Sequence, residues 1–191
     1  MKSDGSLACW GWNTSGQSTP PVGTFTQVSA SWYYTCGLTS DGSIACWGLS
    51  LGTPPVETFT QVSAGYGHTC GLKSDGSLTC WGDNSYGQST PPSGTFTQVS
   101  AGYSHTCAVK TDGTLACWGD DGFGQATPPA GTFTQVSGGG YHSCGVKADG
   151  TLACWGYNYY GQAIPPAGTF TQVGAGSSHN CGVKASGRVV C

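Results

Sequence analysis

The segment Phe-Thr-Gln-Val starts five times in this chain, at Phe25, Phe59, Phe96, Phe133 and Phe170. The pair Trp-Gly recurs in step at Trp10, Trp47, Trp81, Trp118 and Trp155. Successive Phe-Thr-Gln-Val starts lie 34, 37, 37 and 37 residues apart. A period of this size marks stacked supersecondary units, none of which buries its apolar face alone. The first unit is short because the loop after Trp47 (Leu49-Ser50-Leu51-Gly52, before Thr53-Pro54-Pro55) has lost three residues. In a chain of 191 residues the units leave room for a single repeat domain, 1–191.

Each unit reads as strands separated by turns. Phe-Thr-Gln-Val-Ser is aromatic and β-branched, as strands prefer. His105-Thr-Cys-Ala-Val-Lys110 and Leu115-Ala-Cys-Trp-Gly119 read as a hairpin around Thr111-Asp112-Gly113. A three-residue loop ending in a left-handed glycine sets Val109 opposite Leu115 and Cys107 opposite Cys117, with the apolar side chains on one face. A fourth, shorter strand is expected at Gly124-Gln125-Ala126-Thr127, ended by Pro128-Pro129. With 33 glycines and 10 prolines, long helices are excluded. Four short strands per unit and five units predict an all-β protein, a β-propeller of about five short four-stranded blades.

The string Ala-Gly-Tyr-x-His-Thr-Cys, then Lys-x-Asp-Gly-x-Leu-x-Cys-Trp-Gly-x-Asn-x-x-Gly-Gln, resembles the short-bladed repeat of the regulator of chromosome condensation family. It is also similar to the units of beta-lactamase inhibitory protein II, a secreted bacterial propeller. Both resemblances imply seven blades, whereas this chain holds five units. Residues 1–24 can complete the last unit arithmetically, which favours a ring sealed by the two termini. An open arc, or a fragment of a seven-bladed propeller, is the alternative.

Ten of the eleven cysteines form pairs ten residues apart: Cys36 with Cys46, Cys70 with Cys80, Cys107 with Cys117, Cys144 with Cys154 and Cys181 with Cys191. In the register above each pair is directly cross-strand and within disulfide reach. Each bridge would add about 2–3 kcal/mol in the chain-entropy description. Reduced cysteines packed in the core are the alternative. A zinc site from His68, Cys70 and Cys80 makes a poor tetrahedron, because two of its ligands already face each other. Cys9 occupies the same repeat position as Cys191, so the two compete for Cys181. Bridged cysteines imply an oxidising compartment: secreted, periplasmic or cell-surface. Met1 falls directly into a half-repeat, which reads as a mature or trimmed chain.

No constellation for catalysis emerges, and the chain reads as a non-enzyme. Asp4, Asp41, Asp75, Asp112 and Asp149 share one turn position, where aspartate caps its own backbone. Asp83-Asn84 and Asp120-Asp121 lack the ligand spacing of a calcium loop. The histidines His68, His105, His142 and His179 share one repeat position, with Tyr34 in the fifth, and are expected to hydrogen-bond the neighbouring blade's backbone. No nucleophile elbow or phosphate loop occurs, so neither cofactor nor metal is expected. Only six residues are basic and the net charge is −3, which argues against nucleic acid. No apolar run is long enough for a membrane-spanning helix.

Comparing units with one another separates scaffold from recognition. Two loops vary, one before the His-Thr-Cys strand and one after Trp-Gly, and both are expected on one propeller face. They carry Trp12, Trp32, Tyr33, Tyr66, Tyr86, Tyr103, Phe123, Tyr141, Tyr157, Tyr159 and Tyr160. Aromatics of this kind anchor interfaces at low entropic cost. Tyr66 and Tyr103 equally suit padding between blades. The similarity to beta-lactamase inhibitory protein II implies a binding role for these loops. Because the loops differ between units, a protein partner is favoured. A carbohydrate, bound in lectin fashion, is the alternative, and a passive structural segment of a larger surface protein is the third reading.

Overall fold

The computed structural model describes residues 1–50 and 52–191; Leu51 of the shortened loop lies outside the described residues. The chain forms five antiparallel sheets, each of three strands in chain order. The first holds β1 (Phe25–Ala30), β2 (Tyr34–Thr39) and β3 (Ile44–Gly48). The second holds β4 (Gln61–Ala64), β5 (His68–Leu72) and β6 (Leu78–Gly82). The third holds β7 (Phe96–Ala101), β8 (His105–Lys110) and β9 (Leu115–Gly119). The fourth holds β10 (Phe133–Gly138), β11 (His142–Lys147) and β12 (Leu152–Gly156). The fifth holds β13 (Phe170–Ala175), β14 (Asn180–Lys184) and β15 (Val189–Val190).

The hairpin register is the one that gathers the apolar side chains, with Val109 opposite Leu115 and Cys107 opposite Cys117. Gly113 takes φ +82°, and Asp112 accepts a hydrogen bond from the Thr114 amide at 2.8 Å. The expected fourth strand does not form. Gly124–Thr127 is a turn in which the Ala126 amide donates to Asp121 Oδ1 (2.8 Å) and the Thr127 amide to the Gly124 carbonyl (3.2 Å). With these donors and the Gly124 amide, which bonds the Asp121 carbonyl at 3.0 Å, engaged locally, the segment has few left to offer a ladder.

The apolar core lies between sheets rather than within any one of them. Cys36, Leu38 and Ile44 of the first sheet pack on Phe59 and Val62 of the second unit, and Cys107 and Val109 on Phe133, Val136 and Trp155. All five cysteine pairs are disulfides, with Cα atoms 4.0–4.1 Å apart, and Cys9 is free.

Side chains join adjacent sheets where the backbones cannot reach. Gln98 Nε2 donates to the Val136 carbonyl (2.8 Å) while its Oε1 accepts from the Val136 amide (2.7 Å). Ser100 Oγ accepts from the Gly138 amide at 3.0 Å. Gln61 and Gln135 make the same double bond to Val99 and Val173. The histidines form a second row of cross-links. His68 Nε2 meets Thr106 Oγ1 (2.7 Å), His105 Nε2 meets Ser143 Oγ (2.8 Å), and His142 Nε2 meets Asn180 Oδ1 (2.7 Å). These partners are side chains, not the backbone groups expected. Thr106 and Ser143 donate their own protons to the carbonyls of Gln88 and Gln125, so each accepts from an Nε2–H. Nδ1 of all three rings is buried without a partner.

The five sheets form an open series rather than the expected ring. Packing and ladders join each sheet to its sequence neighbour, and no comparable contact joins the fifth to the first among the described residues. Val28 is 39% exposed, whereas Val62, Val99, Val136 and Val173 are 1–2% exposed. Residues 1–24 do not complete the fifth unit. They lie on the first sheet, where the Gly5 carbonyl accepts from the Phe25 amide and the Gln17 carbonyl from Trp47 Nε1, both at 2.9 Å. Cys181 pairs within its own hairpin to Cys191, which leaves Cys9 over.

Three outcomes follow from this architecture. Thiol titration in denaturant should find one thiol per chain, whereas eleven would overturn the disulfide framework. Gln98→Ala strands a partly buried amide and carbonyl and should cost about 2–4 kcal/mol in urea unfolding. Gln172→Ala, at the exposed end of the ladder, should stay within about 0.5 kcal/mol. Burial pushes His68 down to about 4 and His105 to about 3, so both are neutral when folded and take up protons on unfolding. Their contribution is complete above pH 6.5 and is lost as pH falls toward 4, at up to about 1.4 kcal/mol per pH unit per ring. The turn aspartates, held below 3.8 by hydrogen bonds from Ser or Thr, titrate beneath this window. Thermal melts from pH 7 to 4.5 should therefore show a falling Tm, with a shallower slope in His105→Gln.

Candidate binding face

Each hairpin returns the chain to the end where it began, so the two variable loops of a unit open side by side. One hydrogen bond ties them in each of the first four units. The Leu49 amide donates to the Tyr33 carbonyl, Asp83 to Gly67, Asp120 to Ser104 and Tyr157 to Tyr141, at 2.7–2.8 Å. The loop after Trp-Gly is held from beneath by a buried glutamine. Oε1 of Gln88, Gln125 and Gln162 accepts from the amides of Tyr86, Phe123 and Tyr160 at 2.8–2.9 Å. Nε2 of Gln88 and Gln125 donates to Asp83 and Asp120. These carboxylates thus act as loop braces.

The loop before the His strand is pinned between sheets. The Tyr66 amide donates to the Gly102 carbonyl (3.2 Å) and the Tyr103 amide to the Gly139 carbonyl (3.1 Å). The glycine before each tyrosine is obligatory: a Cβ on Gly102 would stand 2.4 Å from His105 Cε1 and 2.7 Å from the Gly139 oxygen. In the fourth unit a Cβ on Gly140 would meet the Ser177 oxygen at 2.4 Å, so the aromatic there moves one position on, to Tyr141.

Ten of the eleven aromatic candidates touch one another in a single chain of rings. From Trp12 it passes to Tyr33 (centroids 5.4 Å), then to Tyr66 (5.8 Å), with Trp32 against both tyrosines. Tyr66 stacks on Tyr103 at 4.0 Å, and Tyr103 meets Tyr141 at 5.4 Å. Phe123 bridges Tyr141 (5.6 Å) to Tyr157 (4.9 Å), which contacts Tyr159 and Tyr160. Tyr86 is 60% exposed and packs on no other ring among the described residues. Tyr66 and Tyr103 are half-buried, so they fill the seam between sheets and face solvent together. The neighbouring Tyr66 hydroxyl pushes the Tyr33 phenol up, and Tyr103 does the same to Tyr66, so both of these phenols are neutral at physiological pH.

The rings border a depression of about 230 Å³, floored by Gly65, Gly102, Gly139 and Gly176. A second recess of about 380 Å³, beside the first sheet, is lined by Cys9, Trp10, Trp12, Val28 and Trp32. Trp10 shares the repeat position of Trp47, Trp81, Trp118 and Trp155 but is 86% exposed. Its distinguishing signal is that no Phe-Thr-Gln-Val and His-strand pair precedes it.

No functionally curated protein matches the sequence. Among solved structures, the chain is similar to the entire ectodomain of the Physcomitrella patens receptor kinase CR4, with 26% identity and a TM-score of 0.76 over 87% of this chain and 51% of that one. It is similar to the CRINKLY WD40 ectodomain of the Arabidopsis thaliana receptor kinase ACR4, with 29% identity and a TM-score of 0.74 over 88% and 63%. Prp20p from Saccharomyces cerevisiae shares the fold at 18% identity and a TM-score of 0.75, over 87% and 57%. The chain therefore spans between half and two thirds of the length of these proteins. The regulator of chromosome condensation (RCC1) repeat matches residues 25–50, 59–88, 96–125 and 133–162, which is more than half of the chain. The protein belongs to the RCC1 repeat family.

Proposed function

We propose that this chain is a non-enzymatic extracellular module that binds a protein partner through its aromatic face. The observation that carries the reading is the unbroken contact of rings from Trp12 through the first four units to Tyr160. A surface of this kind holds large side chains in place before a partner arrives, so little rotamer freedom is lost on binding. Tyr159 is 78% exposed and Tyr160 69%, without any fold role that explains them.

Five disulfides support an oxidising compartment, because cytosolic thiols are kept reduced. The similarity to two plant receptor ectodomains supports the same placement. The ring chain also supports protein over carbohydrate. A lectin would repeat one pocket per unit, whereas the loops differ and their rings merge into one surface.

Replacing Tyr157, Tyr159 and Tyr160 together with alanine should leave the far-UV spectrum and Tm nearly unchanged, since two of the three are exposed. Affinity for a partner captured from the extracellular milieu should fall by about tenfold or more, as loss of hot-spot aromatics does. Unchanged affinity in a titration would remove this patch from the binding surface.

A further inference from the structure

The charged residues are sorted between the two ends of the hairpins. Lys2, Lys73, Lys110, Lys147, Lys184 and Arg188, the chain's entire basic complement, flank the β-turns opposite the aromatic face. The five turn aspartates lie there too, as does Glu57, which pairs with Lys73 at 3.0 Å. That end is formally neutral. The whole net charge of −3 thus falls on Asp83, Asp120 and Asp121, in the loops after Trp-Gly on the aromatic face. Hairpin strands of five to six residues separate the ends by about 16–20 Å. The Debye length is about 8 Å at physiological salt, so the distant lysines do not offset the acidic end.

The three histidines buried near the aromatic face do not change its sign at neutral pH. His68, His105 and His142 are buried under the loops and held neutral, and exposed His179 is the remaining one. The face therefore joins neutral π-surfaces to fixed negative charge. Guanidinium groups suit both features, because they stack on aromatic rings and pair with carboxylates. Phosphate-bearing or acidic ligands are repelled, and a purely apolar partner would leave the charge unused.

Resting on the binding role proposed above, we infer that the aromatic face recognises a cationic protein segment, with arginine side chains laid across the Tyr and Trp rings and paired with Asp83, Asp120 and Asp121. The charge is testable apart from the loop structure. Asn84 and Asn158, at the position of Asp121, accept the same backbone hydrogen bond, from Ser89 and Ala163 at 2.9 and 2.8 Å. Asp121→Asn therefore removes charge while keeping the brace.

The probes are a serine–arginine peptide, its citrulline counterpart and a serine–glutamate peptide, titrated against the whole chain by tryptophan fluorescence at low and high salt. The arginine peptide should bind, with the citrulline peptide about tenfold weaker, since each exposed cation–π contact contributes about two- to fivefold. Asp121→Asn should weaken arginine-peptide binding about two- to threefold at low salt and little at high salt. Equal binding of arginine and citrulline peptides, preference for the glutamate peptide, or no binding of any peptide would overturn the cationic-segment inference. If the tyrosine-to-alanine triple variant still loses its captured partner in that case, the binding role stands and only the partner chemistry is wrong. If the triple variant loses nothing, both fail.

Discussion

Everything in this molecule depends on the seam between one three-stranded sheet and the next. A single three-stranded unit cannot bury its own apolar face. Stability comes from laying Cys36, Leu38 and Ile44 of one sheet against Phe59 and Val62 of its neighbour, and from repeating that contact. The seam also carries polar groups, because the inner strands of adjacent sheets face each other without pairing. Glutamine and serine side chains supply the missing partners, as Gln98 and Ser100 do for Val136 and Gly138. This explains why Phe-Thr-Gln-Val-Ser recurs with so little change. Its phenylalanine and valine fill the seam and its glutamine and serine satisfy it.

The same seam positions the candidate site. His105 crosses to Ser143, its ring packs under Gly102, and Gly102 presents Tyr103 to the stack with Tyr66. Scaffold and surface are thus mechanically connected through a few atoms. The loops are consequently not free to wander, despite their glycine content. The Gly139 carbonyl holds the Tyr103 amide, and Gln125 holds that of Phe123. A rigid loop with an exposed aromatic tip loses little freedom on binding, which makes such a surface effective at modest size.

Much of the fold is legible in the chain itself. The period, the hairpin turn at Asp112-Gly113 and the cysteine spacing determine strand pairing locally, because turn chemistry sets register within a few residues. Those readings match the structure down to the Cys107–Cys117 pair. The aromatic positions are likewise legible, since Tyr157 and Tyr159 stand where the second and third units place Asp83 and Asp120, Ser85 and Gly122, while Tyr160 shares the position of Tyr86 and Phe123. Reading strand propensity alone misled at Gly124–Thr127, where the side chain of Asp121 takes the Ala126 amide and the Thr127 hydroxyl. It misled again over the histidines, whose partners are set by which residue the next sheet brings within reach.

The pentapeptide Leu-Ala-Cys-Trp-Gly marks the boundary between the two kinds of information. At Leu115–Gly119 and Leu152–Gly156 it is a strand with a bridged cysteine. At Leu7–Gly11 the same five residues form no strand, the cysteine is free and the tryptophan is exposed. The sequence alone determined the unit, its turns and its disulfide partners, because these depend on residues within one hairpin. Tertiary structure decided whether the series closes, which copy of a repeated segment becomes a strand and how ten separate rings meet in one surface. Those outcomes depend on which sheet stands beside which, and identical repeats carry no label for that.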